Sequence, residues 1–373
     1  MKNNLWNMLK KELREMFRDK KSLAMMLVIP IFIPLLVIGM SALFDAQMNK
    51  DISEYNKIGF AYEITEEEKN IAKEINIEIV NGTEEDLKQK YENEEINLYI
   101  TKKDNNTYII NTNSSENSTY AKNLVKTYFD AYEQYKNIEL ADKLQKITLE
   151  ENLLDEDNFF VNYIKNYAFL FIIMAITVSA TYPSTDTTAG EKERGTLETL
   201  LTFPIKSKDI ILGKFLAVSI SSIITGTLSL LLSMLSLVIA QDRFSIYEGI
   251  NIMYDVPTIC IAIVIIIAYS FFISGLCISV ASKSKTFKEA QSALTPLNFI
   301  SFFPGMIAFM VGIKTTQILS IVPFLNYTLI FIDVAGGEIN YANIFLMLAS
   351  TAIYIGIVLK IIIKQYKSEK VLF

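Results

Sequence analysis

The chain has 373 residues, 51% of them hydrophobic, with 35 Lys and Arg against 41 Asp and Glu and no histidine. The missing histidine excludes a His-based catalytic triad, a His-ligated zinc and an imidazole proton relay. Cys260 and Cys277 share one apolar run, which supports neither a disulfide framework nor a thiolate metal site, and a net charge of −6 lacks the basic footprint that nucleic acid requires.

In chain order, residues 1–21 read as an amphipathic helix. Leu5, Trp6, Leu9, Leu13, Met16 and Phe17 recur at helical spacing, while Lys10, Lys11, Arg14, Arg18 and Lys21 supply a basic side. Such a helix suits the inner headgroup layer of a membrane, with membrane lipids as partners; it also suits packing on the protein's own cytoplasmic loops. Residues 22–44 carry no charge and form the first of six predicted transmembrane helices, an uncleaved anchor kinked at Pro30 and Pro34.

Residues 45–162 read as a folded mixed α/β domain. Alternation over 57–62, 75–80, 96–101 and 107–112 predicts strands, and 65–73 and 83–94 predict helices, the second capped by Thr83. Residues 102–106 predict a hairpin loop, the Asn- and Ser-rich stretch 111–119 an exposed loop with two glycosylation sequons, and 116–157 one or two helices. The acidic runs 66–68 and 84–86 read as solvated helix faces and not as a metal site.

Further apolar runs at 163–183, 215–240, 256–282, 290–313 and 341–363 complete the six spans. The stretch 318–332 is too short to cross and reads as a re-entrant or interfacial hairpin. Segments 1–21, 184–214, 282–290 and 360–373 hold seven, five, three and four Lys or Arg, whereas 241–255 and 314–340 hold one each. The expected fold class is therefore a polytopic α-helical membrane protein in the cell membrane with both termini cytoplasmic and residues 45–162 exoplasmic.

The loop 184–214 holds the most informative motif. Gly190 and Gly195 have the spacing of a phosphate-binding loop, but the lysine that would precede Thr196 is missing, so nucleotide binding is not expected here. Glu191, Glu193, Arg194, Gly195, Thr196, Leu197 and Glu198 run on to Leu200, Leu201 and Pro204. The spacings Glu191 to Arg194 and Arg194 to Glu198 suit ion pairs on one helix. Pro204 would end that helix, and Ser207, followed by Asp209, would cap the next one.

This E-K-E-R-G-T-L-E segment, with the Gly213-Lys214 pair before the next span, resembles the loop of type-2 ABC exporter permeases. The order of amphipathic helix, span, large exoplasmic domain and five further spans is similar to the sodium-efflux, NatB-like branch. The resemblance implies a homodimeric or heterodimeric permease driven by a separate soluble ABC ATPase, which would bind the ATP and Mg. This chain itself would bind no cofactor, metal or nucleic acid and would have no catalytic residues of its own. The resemblance also implies that the 191–201 helix and the helix from Ser207 dock on the ATPase; a helix that only staples two spans together is the alternative.

Ser219, Ser222, Gly226, Ser229, Ser233, Ser236 and Ala240 repeat every 3.5 residues on average, a ribbon suited to close helix packing or to a polar pathway. Pro296 and Pro304 predict a kinked fifth span. Asn298, Pro323 and Asn326 stand in apolar surroundings, where the asparagines would either mark a substrate site or bond a neighbouring helix. Sodium export, export of a lipophilic drug, lipid or antimicrobial peptide, and a receptor that senses through the exoplasmic domain all remain open. An integral membrane enzyme is the weakest reading, because no catalytic constellation survives.

Overall fold

A computed structural model describes residues 2–47, 55–104, 106–112, 116–139, 148–153, 159–203, 205–247 and 250–367. Chain order runs α1 (Lys2–Arg18), α2 (Lys20–Gln47), β1 (Lys57–Phe60), α3 (Glu66–Glu74), β2 (Glu78–Asn81), α4 (Glu84–Glu92), β3 (Leu98–Lys102), β4 (Thr107–Thr112), α5 (Glu116–Glu139) and β5 (Thr148–Leu153). It continues through α6 (Phe159–Thr185), α7 (Glu191–Glu193), α8 (Thr196–Thr202), α9 (Ser207–Arg243), α10 (Val256–Ala281), α11 (Phe287–Val311), α12 (Leu325–Ala335) and α13 (Tyr341–Lys367). Two compact units result: Met1–Ser41 with Ile164–Phe373, and Ala42–Tyr163.

The Ala42–Tyr163 unit holds a five-stranded sheet of order β2-β1-β3-β4-β5, antiparallel only between β3 and β4. Thr65 and Glu68 form a reciprocal capping box at the start of α3, and Thr83 accepts from the Asp86 N–H at the start of α4. The acidic runs thus occupy first helical turns, where they complement the helix dipole. Aromatic rings fill one layer: Phe60 lies 5.8 Å from Tyr128, and Tyr108 lies 4.6 Å from Phe129. Leu87, Ile96 and Tyr99 form a second core cluster.

Three expectations for this unit change. Ile75 is not in a strand but closes α3, because Asn76 turns left-handed (φ 64°) and the Ile77 N–H bonds back to the Ala72 carbonyl at 2.7 Å. Strand pairing then starts at Glu78. The segment read wholly as helix ends in β5, which pairs in parallel with β4 from Thr107 to Thr112. The presumed loop 111–119 is also cut short, since Asn111 and Thr112 are buried at the end of β4 while Ser118 is buried on α5, donating to the Asn97 carbonyl at 2.7 Å. Residues 113–115, with the first sequon, lie outside the described residues.

Among the described residues six helices are long and apolar enough to cross a membrane: Lys20–Ala46, Val161–Glu193, Ser207–Arg243, Val256–Ala281, Phe287–Val311 and Tyr341–Tyr366. α9, with 37 residues, is about 55 Å long and outruns the roughly 30 Å hydrocarbon layer. α12, with 11 residues, is too short to cross and follows a 3-10 turn at Leu319–Ile321. It packs against α10, α11 and α13 with Asn326 through Phe331 buried.

The second span does not stop near Pro183. Helical geometry passes through the proline, widens into a π-helix at Asp186–Gly190 and runs on as α7. Threonine hydroxyls around the proline donate back to the helix: Thr181 to the Thr177 carbonyl (2.9 Å), Thr185 to Thr181 (2.9 Å) and Thr187 to Pro183 (2.8 Å). The extra residue per π turn absorbs the register lost at proline. Most of the segment read as a cytoplasmic loop is therefore helix.

α1 and α2 meet at a corner made by Asp19, whose carboxylate accepts from the Ser22 N–H and Ser22 hydroxyl, both at 2.9 Å. Partial burial works against that carboxylate's charge, but the Ser22 donors outweigh it and hold the pKa below the usual range. α1 packs along α9, and the contact requires Gly213, where a Cβ would fall 2.6 Å from Met8 Cγ.

Candidate functional site

The site grows from the four charged residues that follow the π-helix. Each of them bonds a different part of the helical unit. Glu191 lies at the end of the second span facing α1 and α9. Its Oε1 accepts from Lys11 Nζ at 2.9 Å and its Oε2 from Lys214 Nζ at 2.7 Å. Lys214, at the start of the third span and 0% exposed, also donates to Glu12 Oε1 at 2.9 Å. Lys11 reaches Glu12 at 3.2 Å and Glu15 at 3.1 Å. Burial opposes the charge of Lys11, but Glu12 and Glu191 outweigh it and raise its pKa above the ordinary lysine value.

The next three residues serve helix ends. Lys192 Nζ donates to the carbonyls of Ser282 (2.6 Å) and Ser284 (3.2 Å), just past the C-terminus of α10. Glu193 Oε2 accepts from the Phe287 N–H at 2.7 Å, the first residue of α11. Arg194 donates to Asp186 Oδ1 at 2.8 Å and to the Asp186 carbonyl at 3.3 Å, bracing the π-helix. A cation on open carbonyls and an anion on open N–H groups are the matches that helix termini favour. One tetrapeptide thus ties together α1, α9, the α10–α11 turn and the π-helix.

These contacts correct the sequence reading. Arg194 pairs with Asp186: Glu191 is taken up by Lys11 and Lys214, and Glu198 lies beyond a break in the helix at Gly195, which adopts a left-handed φ of 70°. Thr196 opens α8 and donates to the Glu191 carbonyl at 3.2 Å. Leu197 is buried, whereas Glu198 is exposed and Phe203, just past α8, is 55% exposed. Ser207 is the first residue of α9 and not its cap; that position belongs to the extended Lys206, which makes no side-chain cap bond, and Asp209 lies in the first turn. The expected helix end at Pro204 lies outside the described residues.

Sequence reasoning missed Lys11, Glu12 and Lys214 as members of the site. The α1 face is also rotated from expectation: Met8, Leu9, Glu12 and Met16 are buried, while Trp6 and Phe17 are exposed. An acid flanked at helical spacing by Met8, Leu9 and Met16 was the available signal for Glu12. The carboxylates of Glu12, Glu15 and Glu191 lie within 4.8 Å of one another, a spacing that could hold a metal ion. Here the ammonium groups of Lys11 and Lys214 already stand among them, pairing with the buried Glu12 and Glu191 while Glu15 is half open to solvent, so the cluster works as a clamp between helices.

The polar ribbon on α9 is buried throughout, at Ser219, Ser222, Gly226, Ser229, Ser233, Ser236 and Ala240. Ser219 and Ser229 donate to carbonyls one turn back, both at 2.8 Å, while Ser222 accepts from Ser179 of α6 at 3.4 Å. Ser233 meets the Tyr254 hydroxyl at 3.4 Å. At Gly226 a Cβ would lie 2.7 Å from Ile266 and 2.8 Å from Ile176, so α6, α9 and α10 approach closely there.

Asn326 is buried and bonds within its own segment, not across to another helix. Its Nδ2 donates to the Ser320 carbonyl at 3.4 Å and its Oδ1 accepts from the Tyr327 N–H at 3.0 Å. Half-buried Pro323 precedes Phe324, whose φ of 69° makes the sharp entry into α12. Asn298 Oδ1 is buried with no hydrogen-bond partner among the described residues. No hydrogen bond among the described residues joins the two asparagines.

Over 370 residues the chain is 23% identical to the ABC transporter permease protein NatB of Bacillus subtilis (strain 168), an alignment that covers 93% of this chain and 94% of that protein. Residues 20–360 match the family described as ABC-2 family transporter protein. With that match covering most of the chain and reaching into all six apolar helices, the chain belongs to the ABC-2 transporter family and is a multi-pass membrane permease subunit of an ABC transporter.

Proposed function

We propose that this permease works as an exporter driven by a separate soluble ATPase, with sodium ions as cargo. The observation that carries the coupling part is the junction at Glu191–Arg194, which bonds directly to four other parts of the helical unit. Force applied to such a segment reaches several spans at once. The exposed element beside it is α8, so Glu198 and Phe203 form the docking edge, and the charged tetrapeptide transmits. This divides the labour that the sequence reading had placed on one continuous helix.

In this reading ATP and Mg stay on the partner, and the permease pairs with a second copy or a related subunit. It sits in the cell membrane with both termini cytoplasmic and the α/β domain exoplasmic, and 318–332 is a re-entrant or interfacial hairpin that does not cross. Sodium rests on the resemblance to the sodium-efflux branch. Co-purification tests the coupling: Phe203→Ser with Glu198→Arg releases the ATPase from the permease, while Glu193→Gln retains it. Full retention by the Phe203 and Glu198 variant would remove α8 from the docking surface.

A further inference from the structure

α1 carries a face that the helical unit does not use. Its buried side, Met8, Leu9, Glu12 and Met16, packs on α9. About 100° around the helix lies a second apolar stripe: Trp6, 62% exposed, half-buried Leu13, and Phe17, 42% exposed. Beyond it, at four-residue spacing, stand Lys10, Arg14 and Arg18, all exposed and in no ion pair among the described residues. Lys11, by contrast, turns its ammonium into Glu12, Glu15 and Glu191. Of these four cations, one is spent on protein carboxylates and three are left beside exposed aromatic rings.

We propose that this second face binds anionic phospholipid, with Trp6 and Phe17 at the acyl boundary and Lys10, Arg14 and Arg18 on the headgroup phosphates. Charge complementarity and the order of the stripes select that occupant. An interfacial helix places its cations next to its apolar stripe, and each cation near an anionic surface adds attraction of about 1 kcal/mol, or roughly fivefold in occupancy. The back of the same helix holds the clamp to Lys214 and Glu191, so lipid on the front bears on the junction. The inference rests on the membrane setting of the family and not on the identity of the cargo.

Trp6 is the only tryptophan of the chain, so its fluorescence reports this face alone. The full chain is reconstituted in phosphatidylcholine vesicles containing equal mole fractions of either brominated phosphatidylglycerol or brominated phosphatidylcholine. The expected result is stronger quenching by the anionic lipid, equivalent to about fivefold or greater local enrichment and falling as salt is added. In Lys10→Gln with Arg14→Gln and Arg18→Gln, the two lipids quench equally. Because the three side chains are exposed, the fold is preserved, and the salt titration on the unaltered chain needs no variant. Equal quenching in the unaltered chain overturns the proposal. So does emission that ignores both lipids and shifts only when the ATPase is added, which would assign the stripe to a protein. Neither result touches ATP-driven efflux, which is measured separately.

Discussion

Lys214 is the fully buried cation of the site, 0% exposed and bonded to carboxylates from two other helices. Removing one partner of a buried pair leaves charge uncompensated, at about 3–5 kcal/mol. Lys214→Met should therefore lower the melting temperature of the purified permease substantially, and Lys11→Met, at a site 37% exposed, should lower it less. Adding Glu12→Gln and Glu191→Gln to Lys214→Met should restore much of the loss, because neutral groups of similar shape carry no stranded charge. A triple variant as unstable as the single one would contradict the clamp. Asp19 adds a pH dependence. Its folded carboxyl is depressed below the unfolded value, so its contribution is present above the ordinary carboxylate pKa and lost as pH falls through the folded one. Acidification should loosen the α1–α2 corner, read as faster amide exchange at Lys21 and Ser22, and Asp19→Ala should show that exchange already at neutral pH.

Among elements, the break between α7 and α8 depends on Gly195, where space is open but φ is 70°. Gly195→Ala should cost about 1 kcal/mol through backbone strain alone and weaken partner binding, measured by titrating the ATPase. Gly305 makes the opposite case, since a Cβ there would fall 2.5 Å from Thr328 Oγ1 and 2.8 Å from Leu170. Gly305→Ala should separate α11 from α12 and destabilise by about 1–3 kcal/mol in thermal unfolding. How far elements were legible follows from the range of the forces that make them. The apolar helices announce themselves locally, and so do the caps at Thr65 and Thr83. β5 does not, because Thr148–Leu153 contains two glutamates and becomes a strand only by pairing with β4. The same limit hid the junction. Nearest-neighbour spacing offered Arg194 to Glu191, whereas the contacts that form join residues 23 and 202 positions apart, Lys214 with Glu191 and with Glu12.

At the scale of the molecule, the six apolar helices among the described residues and the family match agree on a membrane permease, and in the proposed reading the charged junction is the route from a partner ATPase to the spans. On the proposed coupling, the bonds made by Glu191–Arg194 would carry movement of α8 into the spans. The account therefore stands or falls on dependence in trans. The decisive measurement is release of radioactive sodium from loaded vesicles containing the permease, with and without the ATPase and ATP. The account predicts ATP-dependent release only when both proteins are present, with release lost in the Phe203→Ser and Glu198→Arg variant. Release from the permease alone that is indifferent to ATPase and ATP would contradict it.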